Sequence, residues 1–423
     1  MATASVLAQI AGAAIVVAVL AEAGIALVAA WRRADLEVAA RRLALKELEN
    51  RVERALAKSQ AEQRYSTSSW RGYRKFEVAE RIVEAPDVVS LRLVAHDRRA
   101  LAAFKPGQYL TFRLALPGRG RPIVRCYSLS AFAAEPLHYQ ITVKRIPAPA
   151  DRPDLPAGAA SGNIHDRLAK GDIIDIAAPT GNFVLDPDGE DPVVLLAGGI
   201  GITPIACMLG AIAESARPRE VQVFYGVSDL QNAVFREQLR ALVERHPQIS
   251  LRLVCSQPSP HLVEGRDYNR RGHVTVELLK RELPSNNYQF FICGPSAMLS
   301  QMTRELAAWG VPEEHIHYEV FSSASVQRTA RLAAAADSRP LPVVFERSGK
   351  TLTWTPTDGS LLDLALAHEI AIDYGCRAGN CGTCLTAIRD GEVSYLSRPG
   401  TKPEAGSCLP CIAIPKTTVT LSA

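Results

Sequence analysis

Charge of either sign is nearly absent in the net. Against 48 Lys and Arg stand 44 Asp and Glu, leaving +4 over 423 residues. That is too slight for the basic face that a phosphate backbone requires, so nucleic acid is excluded as a partner. A disulfide framework is missing as well. Nine cysteines occur, and five of them (Cys126, Cys207, Cys255, Cys293 and Cys408) are dispersed, unlike the dense spacing of small secreted scaffolds. No nucleophile–base pair suggests covalent or hydrolytic chemistry. A second C-x2-C pair, which a structural zinc site favours, is also lacking.

What is present begins with the remaining cysteines. Cys376, Cys381 and Cys384 lie in Tyr374-Gly-Cys-Arg-Ala-Gly-Asn-Cys-Gly-Thr-Cys384, spaced C-x4-C-x2-C, and Cys411 follows 27 residues later. This is the plant-type ligand spacing for a [2Fe–2S] cluster. Gly375, Gly379 and Gly382 suit a loop that bends tightly and leaves its amides free to face sulfur. From Pro342 to Ala423 the sequence resembles plant-type ferredoxins, and Leu409-Pro-Cys-Ile-Ala-Ile-Pro415 looks like their fourth-ligand segment. Cys411 is therefore expected as the fourth ligand, with Cys408 as its competitor. Reduced thiolates point to the cytoplasmic side of a membrane.

At the other end, residues 5–31 carry one charge, Glu22. As a helix this run reaches roughly 40 Å at 1.5 Å per residue, enough to cross a hydrocarbon core of about 30 Å. Arg32 and Arg33 follow it and no Lys or Arg precedes it. The expectation is a single-pass anchor in the inner membrane, with the N-terminus outside and the catalytic domains in the cytoplasm. A cleaved signal peptide would want positive charge before a shorter core. An intramembrane carboxylate costs about 2.5–3.5 kcal/mol on insertion scales; Glu22 either faces a partner or sits protonated near an interface. Ala8, Gly12, Ala21 and Gly24 would let another helix approach. Residues 32–69 read as a charged helical stalk, with Leu45, Leu48 and Val52 at helical spacing.

Residues 70–187 change to short alternating strands, as in a small antiparallel barrel. The fragments Phe104-Lys-Pro-Gly-Gln-Tyr109, Arg125-Cys-Tyr-Ser128, Val143-Lys-Arg145, Gly158-Ala-Ala-Ser161 and Pro179-Thr-Gly-Asn-Phe183 occur in that order. Together they resemble the flavin-binding domain of the ferredoxin–NADP reductase superfamily. The resemblance implies that Arg125 holds flavin phosphate, Tyr127 packs on the isoalloxazine, and Ser128 bonds near N5. It also implies that Val143 and Lys144 line the ribityl edge. Gly158 and Ser161 would offer amides to phosphate at a helix start expected over Ile164–Leu168. The implied flavin is FAD, with FMN as the alternative.

Residues 188–321 read as an α/β nucleotide domain. The strand Pro192–Ala197 runs into Gly198-Gly-Ile-Gly-Ile-Thr-Pro204 and then a helix. The spacing is not the Rossmann G-x-G-x-x-G, but it resembles the superfamily's G-G-x-G-x-T-P. Gly198, Gly199, Gly201, Thr203 and Pro204 are thus expected to cradle pyrophosphate. The resemblance places Cys293, Gly294 and Pro295 near the nicotinamide, and Glu319 and Phe321 where it meets the flavin. Asp229 would repel a 2′-phosphate, which favours NADH over NADPH; Arg266, Arg270 and Arg271 could reverse that preference.

Residues 322–340 read as a tether and 341–423 as a β-grasp ferredoxin domain. The order flavin, nucleotide, ferredoxin resembles the reductase components of bacterial oxygenases, with phthalate dioxygenase reductase as the pattern. The expected partner is a terminal electron acceptor protein, a membrane-associated oxygenase, hydroxylase or desaturase, with the lipid bilayer engaged through residues 5–31. A membrane NADH:quinone oxidoreductase and a redox-sensing protein are the competing readings.

Overall fold

The computed structural model describes residues 2–118, 122–148, 157–215, 217, 219–321, 339–396, 399, 401 and 403–423. The chain divides into two units, Met1–Ser66 and Thr67–Ala423. The first is carried by one helix, α1 (Ala2–Ser68), continuous across the expected anchor and stalk. Its described side chains are those of residues 12, 19–49, 52 and 56, and all of them are exposed, including Leu45, Leu48 and Val52. Among the described residues no helix is long and apolar enough to cross a membrane. Much of the expected span, residues 5–11 and 13–18, lies outside the described side chains.

Among the described residues the second unit holds three larger sheets and a two-stranded ribbon. The first comprises β1 (Tyr73–Ala85), β2 (Val88–Ala95), β3 (Tyr109–Leu114), β4 (Ile123–Ser128), β5 (Tyr139–Lys144) and β6 (Ile173–Thr180), in the order β4-β3-β6-β1-β2-β5. A bridge between Leu129 and Ile141 joins the two edges, closing an antiparallel barrel that leaves no open edge. Period-2 alternation turns Phe76, Leu91, Leu93, Leu110, Phe112 and Ile141 into its core. Helix α2 (Ala159–Asp166) caps one end. It begins five residues before the expected Ile164, because Gly158 can close the turn with its N–H on the Ile146 carbonyl.

The second sheet is parallel: β7 (Val193–Gly198), β8 (Val221–Val227), β9 (Ile249–Cys255), β10 (Arg270–Arg271), β11 (Gln289–Cys293) and β12 (Ile316–Glu319), ordered β10-β9-β8-β7-β11-β12. The helices α3 (Ile202–Glu214), α4 (Arg236–Arg245), α5 (Val276–Glu282) and α6 (Ser296–Ala308) lie between strands in the chain. The wholly buried run Val193–Ala197 is what a strand covered on both faces requires. Strand order reverses between β7 and β11, and ligands of open α/β sheets bind outside the strand C-termini at such a point.

The last sheet orders β13 (Leu341–Phe345), β14 (Lys350–Trp354), β15 (Thr386–Asp390), β17 (Ser407–Cys408) and β19 (Val419–Leu421) as β14-β13-β19-β15-β17. A separate ribbon pairs β16 (Val393–Tyr395) with β18 (Ala413–Pro415). Helix α7 (Leu361–Ala367) starts at a capping box formed by Ser360 and Asp363. Trp354, fully buried, donates its indole N–H to the Gly359 carbonyl at 2.9 Å. The expected tether, 322–340, falls on residues outside the description up to 338.

Gly201 sits where the glycine-rich turn backs onto the end of β11. A Cβ there would lie 2.1 Å from the Cys293 carbonyl oxygen, a contact that only backbone movement relieves. Gly201→Ala should destabilise the nucleotide domain by about 2–3 kcal/mol and lower its thermal midpoint by roughly 5 °C or more, read by calorimetry against wild type. An unchanged midpoint would show that the turn has room.

Candidate functional site

Strand β4 carries most of the candidate flavin residues, and its register shows how they face. Arg125 and Tyr127 lie opposite Phe112 and Leu110, whereas Val124, Cys126 and Ser128 lie opposite Arg113, Thr111 and Tyr109. Directly opposed residues share a face, so the strand turns Arg125 and Tyr127 one way and Cys126 and Ser128 the other. Tyr127 packs edge-on against Phe112 at 5.2 Å between ring centres. Val143 does not line an open edge. It is buried in the barrel core, because its parity matches Ile141, and its carbonyl lies 2.9 Å from His165 Nε2. Lys144 is exposed. Ser161 is buried and its hydroxyl is used locally, donating to the Gly158 carbonyl and accepting from the Ile146 amide. The first turn of α2 has no side-chain cap, leaving amides that fit a phosphate.

The far face of β4 meets the nucleotide domain. Ser128, 6% exposed, donates its hydroxyl to Glu319 Oε2 at 3.0 Å, and Glu319 is itself 7% exposed. Glu319 ends β12 in register with Cys293, which ends β11. Three of the four expected catalytic residues thus converge. Phe321 lies beyond the strand and is 43% exposed. Burial raises the Glu319 carboxyl from 4.5 to about 8, against the opposing effect of the Ser128 hydrogen bond. Burial, reinforced by the Glu319 charge, holds the Cys293 thiol well above its usual range, so Cys293 contributes a protonated, compact wall and not a thiolate.

The glycine-rich turn fits a dinucleotide. Gly199 adopts φ +53°, and Gly198 packs against Gly294, Pro295 and Met298 so closely that any side chain would collide. Gly294 in turn packs on Gly198. Thr203 and Pro204 lie buried in the first turn of α3. That turn has no side-chain cap, and the Thr203 hydroxyl bonds the Ile200 carbonyl. Asp229, expected to repel a 2′-phosphate, is itself held by hydrogen bonds. Its carboxylate accepts from the Ser259 amide and hydroxyl and from the Gln231 amide. Burial disfavours its charge, but these bonds outweigh that and the pKa is lowered. Arg266 pairs with Asp267 at 2.8 Å and Arg270 with Glu282 at 3.6 Å.

The four cysteines expected as cluster ligands fall into two pairs. Cys384 and Cys411 have sulfurs 3.2 Å apart, and Cys376 and Cys381 are within hydrogen-bond reach of one another. Among the described residues no three such groups converge on one ion, and two pairs suit two irons. Amides of Ala378, Asn380 and Cys381 point at the Cys376 sulfur at 3.2–3.5 Å, and the Cys376 amide and Thr383 hydroxyl point at Cys381. Such donors suit thiolates. Cys408 is buried in β17, paired with Thr386.

The cysteine loop rests on the barrel. Arg125 Nη1 donates to the Gly375 carbonyl at 3.2 Å, and the Tyr109 hydroxyl donates to the Asn380 carbonyl at 2.6 Å. Asn182 reaches the Pro399 carbonyl at 3.2 Å. A side chain on Gly375 would strike Val124 at 2.8 Å. A narrow cleft lined by Tyr109, Asn182, Glu319, Val320, Ala378 and Asn380 opens where the three modules meet. In the sequence Tyr109 and Asn182 stand out only as members of the ordered barrel fragments. Their partners lie 271 and 217 positions away, and no local signal announces such a contact.

Two outcomes follow from this geometry. Cys411→Ser should abolish the cluster's visible absorbance and Cys408→Ser should keep it; the reverse result would reassign the fourth ligand. Glu319 holds its proton more tightly folded than unfolded, so it lowers stability as pH rises from 4.5 to about 8, by on the order of a few kcal/mol. Glu319→Gln should flatten the fall of the thermal midpoint across that window, and an unaltered slope would contradict the buried acid.

Three families match the chain in succession: the oxidoreductase FAD-binding domain over residues 75–185, the oxidoreductase NAD-binding domain over 195–304, and the 2Fe–2S iron–sulfur cluster binding domain over 345–416. The flavohemoprotein of Bacillus cereus is 31% identical over 261 residues, 62% of this chain and 64% of that protein. The chain therefore spans a little under two thirds of that relative. The FAD/NAD-binding domain of nitric oxide dioxygenase from Vibrio cholerae is 29% identical with a TM-score of 0.52, covering 59% of this chain and 99% of that one. Phthalate dioxygenase reductase, 22% identical with a TM-score of 0.52, covers 83% of this chain and 98% of its own, a likeness of fold. The chain is an oxidoreductase that carries, in succession, an FAD-binding, an NAD-binding and a 2Fe–2S cluster binding domain, and it shares the fold of phthalate dioxygenase reductase.

Proposed function

We propose that this chain is an NADH-dependent reductase that passes electrons from NADH through FAD and a [2Fe–2S] cluster to a partner oxygenase, hydroxylase or desaturase. In this reading residues 5–31 hold it as a single span in the inner membrane, with its catalytic domains in the cytoplasm. Strand β4 carries the argument. Its Ser128 end bonds Glu319 of the nucleotide domain, and its Val124–Arg125 end lies under the cysteine loop. A hydride brings two electrons together and a [2Fe–2S] cluster takes one at a time; a flavin supplies the exchange between them. What the chain itself does is bring the three binding places to one strand. Ser128 and Glu319 fix the seam, and Cys293 fills it without reacting. Arg125 retains guanidinium N–H groups for a flavin phosphate while one of its nitrogens holds Gly375.

Asp229 keeps its charge at the end of β8, and two of the three nearby arginines are paired with carboxylates. Both observations favour NADH over its 2′-phosphorylated form. Domain order supports the partner: the same fold is found in a protein named phthalate dioxygenase reductase. The membrane reading rests on the apolar run before Arg32. Deleting residues 1–33 should leave NADH:ferricyanide turnover in solution unchanged. It should cut turnover with a membrane-held oxygenase at least about tenfold, since tethering supplies effective concentration. Equal turnover of both forms in reconstituted membranes would refute the anchor.

A further inference from the structure

Three peptide groups face the Cys376 sulfur through their N–H, and the two shortest contacts are those of Asn380 at 3.3 Å and Cys381 at 3.2 Å. The carbonyl of each of these two is itself bonded. Gly379 O, on the first peptide, accepts from the Thr401 amide at 3.1 Å. Asn380 O, on the second, accepts from the Thr401 hydroxyl and from Tyr109 of the flavin barrel. Thr401 belongs to the ferredoxin domain, whereas Tyr109 reaches in from β3. Its ring is 2% exposed and packs on Gly181, which adopts φ +127°. The phenol therefore has one fixed direction.

We infer that Tyr109 is a positioning residue that tunes the iron–sulfur centre from the flavin domain. The path is Tyr109 O–H to Asn380 C=O, through the peptide to Cys381 N–H, and on to Cys376 Sγ. A donor on a carbonyl polarises the amide it belongs to, and its N–H becomes a stronger donor in turn. Hydrogen bonds to cluster sulfurs favour the reduced, more negative state and raise its potential. Docking of the ferredoxin domain on the barrel thus makes its centre a better acceptor at the moment the two are in contact. Neither the loop nor the barrel alone provides this.

The inference rests on the relay reading above and is tested without NADH or an acceptor. Full-length protein with both cofactors loaded is titrated with dithionite and mediators while the cluster is followed by electron paramagnetic resonance. Tyr109→Phe keeps the ring and removes the donor. At the wild-type midpoint it should lower the ratio of reduced to oxidised cluster at least threefold, about 28 mV at 59 mV per tenfold. Thr401→Val removes the second donor to the same carbonyl and should shift the potential in the same direction. Asn182→Ala breaks a barrel contact to Pro399 that touches neither peptide, and should keep the wild-type potential. A Tyr109→Phe potential equal to wild type overturns the inference. So does an equal fall in Asn182→Ala, which would assign the effect to docking in general. A cluster that titrates normally but is never reduced by NADH would instead defeat the relay and leave the tuning measured.

Discussion

The alternation of a single strand governs how this molecule meets itself. β4 is six residues long, and successive side chains leave it on opposite faces. One face lies against Phe112 and Leu110 of β3, and its Arg125, exposed, reaches out to the Gly375 carbonyl of the cysteine loop. The other can meet the nucleotide domain at Ser128 and the cysteine loop at Val124. A slip of one residue would turn Ser128 inward and Tyr127 outward, and both contacts would be lost together. The closed barrel protects that register, because every strand has two neighbours and an error in one pair propagates round the ring.

Burial sets the chemistry at the seam. Glu319 is kept largely protonated near neutral pH, and Cys293 stays a thiol. Water is scarce and charge is expensive there, conditions that suit hydride transfer better than acid–base or nucleophilic catalysis. The cysteine loop is furnished differently: its amides converge on the Cys376 sulfur, an arrangement that suits a cluster-bound thiolate.

Much of this was legible in the sequence wherever chemistry is local. The spacing of Cys376, Cys381 and Cys384 and the glycine-rich turn after β7 are signals of a few residues, and both lead to the domains that the families match. The barrel required several weak fragments read in order. What escaped was set by tertiary contact. Val143 shares a motif with Lys144 but falls on the inward parity of its strand. Asp229 shows its acidity in the sequence and not the Ser259 bonds that occupy it. Tyr109 is an ordinary turn-and-strand residue until the fold brings Asn380 to its hydroxyl. Helix α2 began early because its glycine completes a turn with a residue twelve positions back.

The central claim is that electrons enter beside Ser128 and leave through the cysteine loop of the same chain. Rapid mixing of the anaerobic protein with NADH, followed at flavin and cluster wavelengths, tests it most directly. The account predicts that flavin absorbance falls first and that one electron then appears on the cluster with no added protein. Cluster reduction that precedes flavin bleaching, or bleaching that leaves the cluster oxidised, would contradict it.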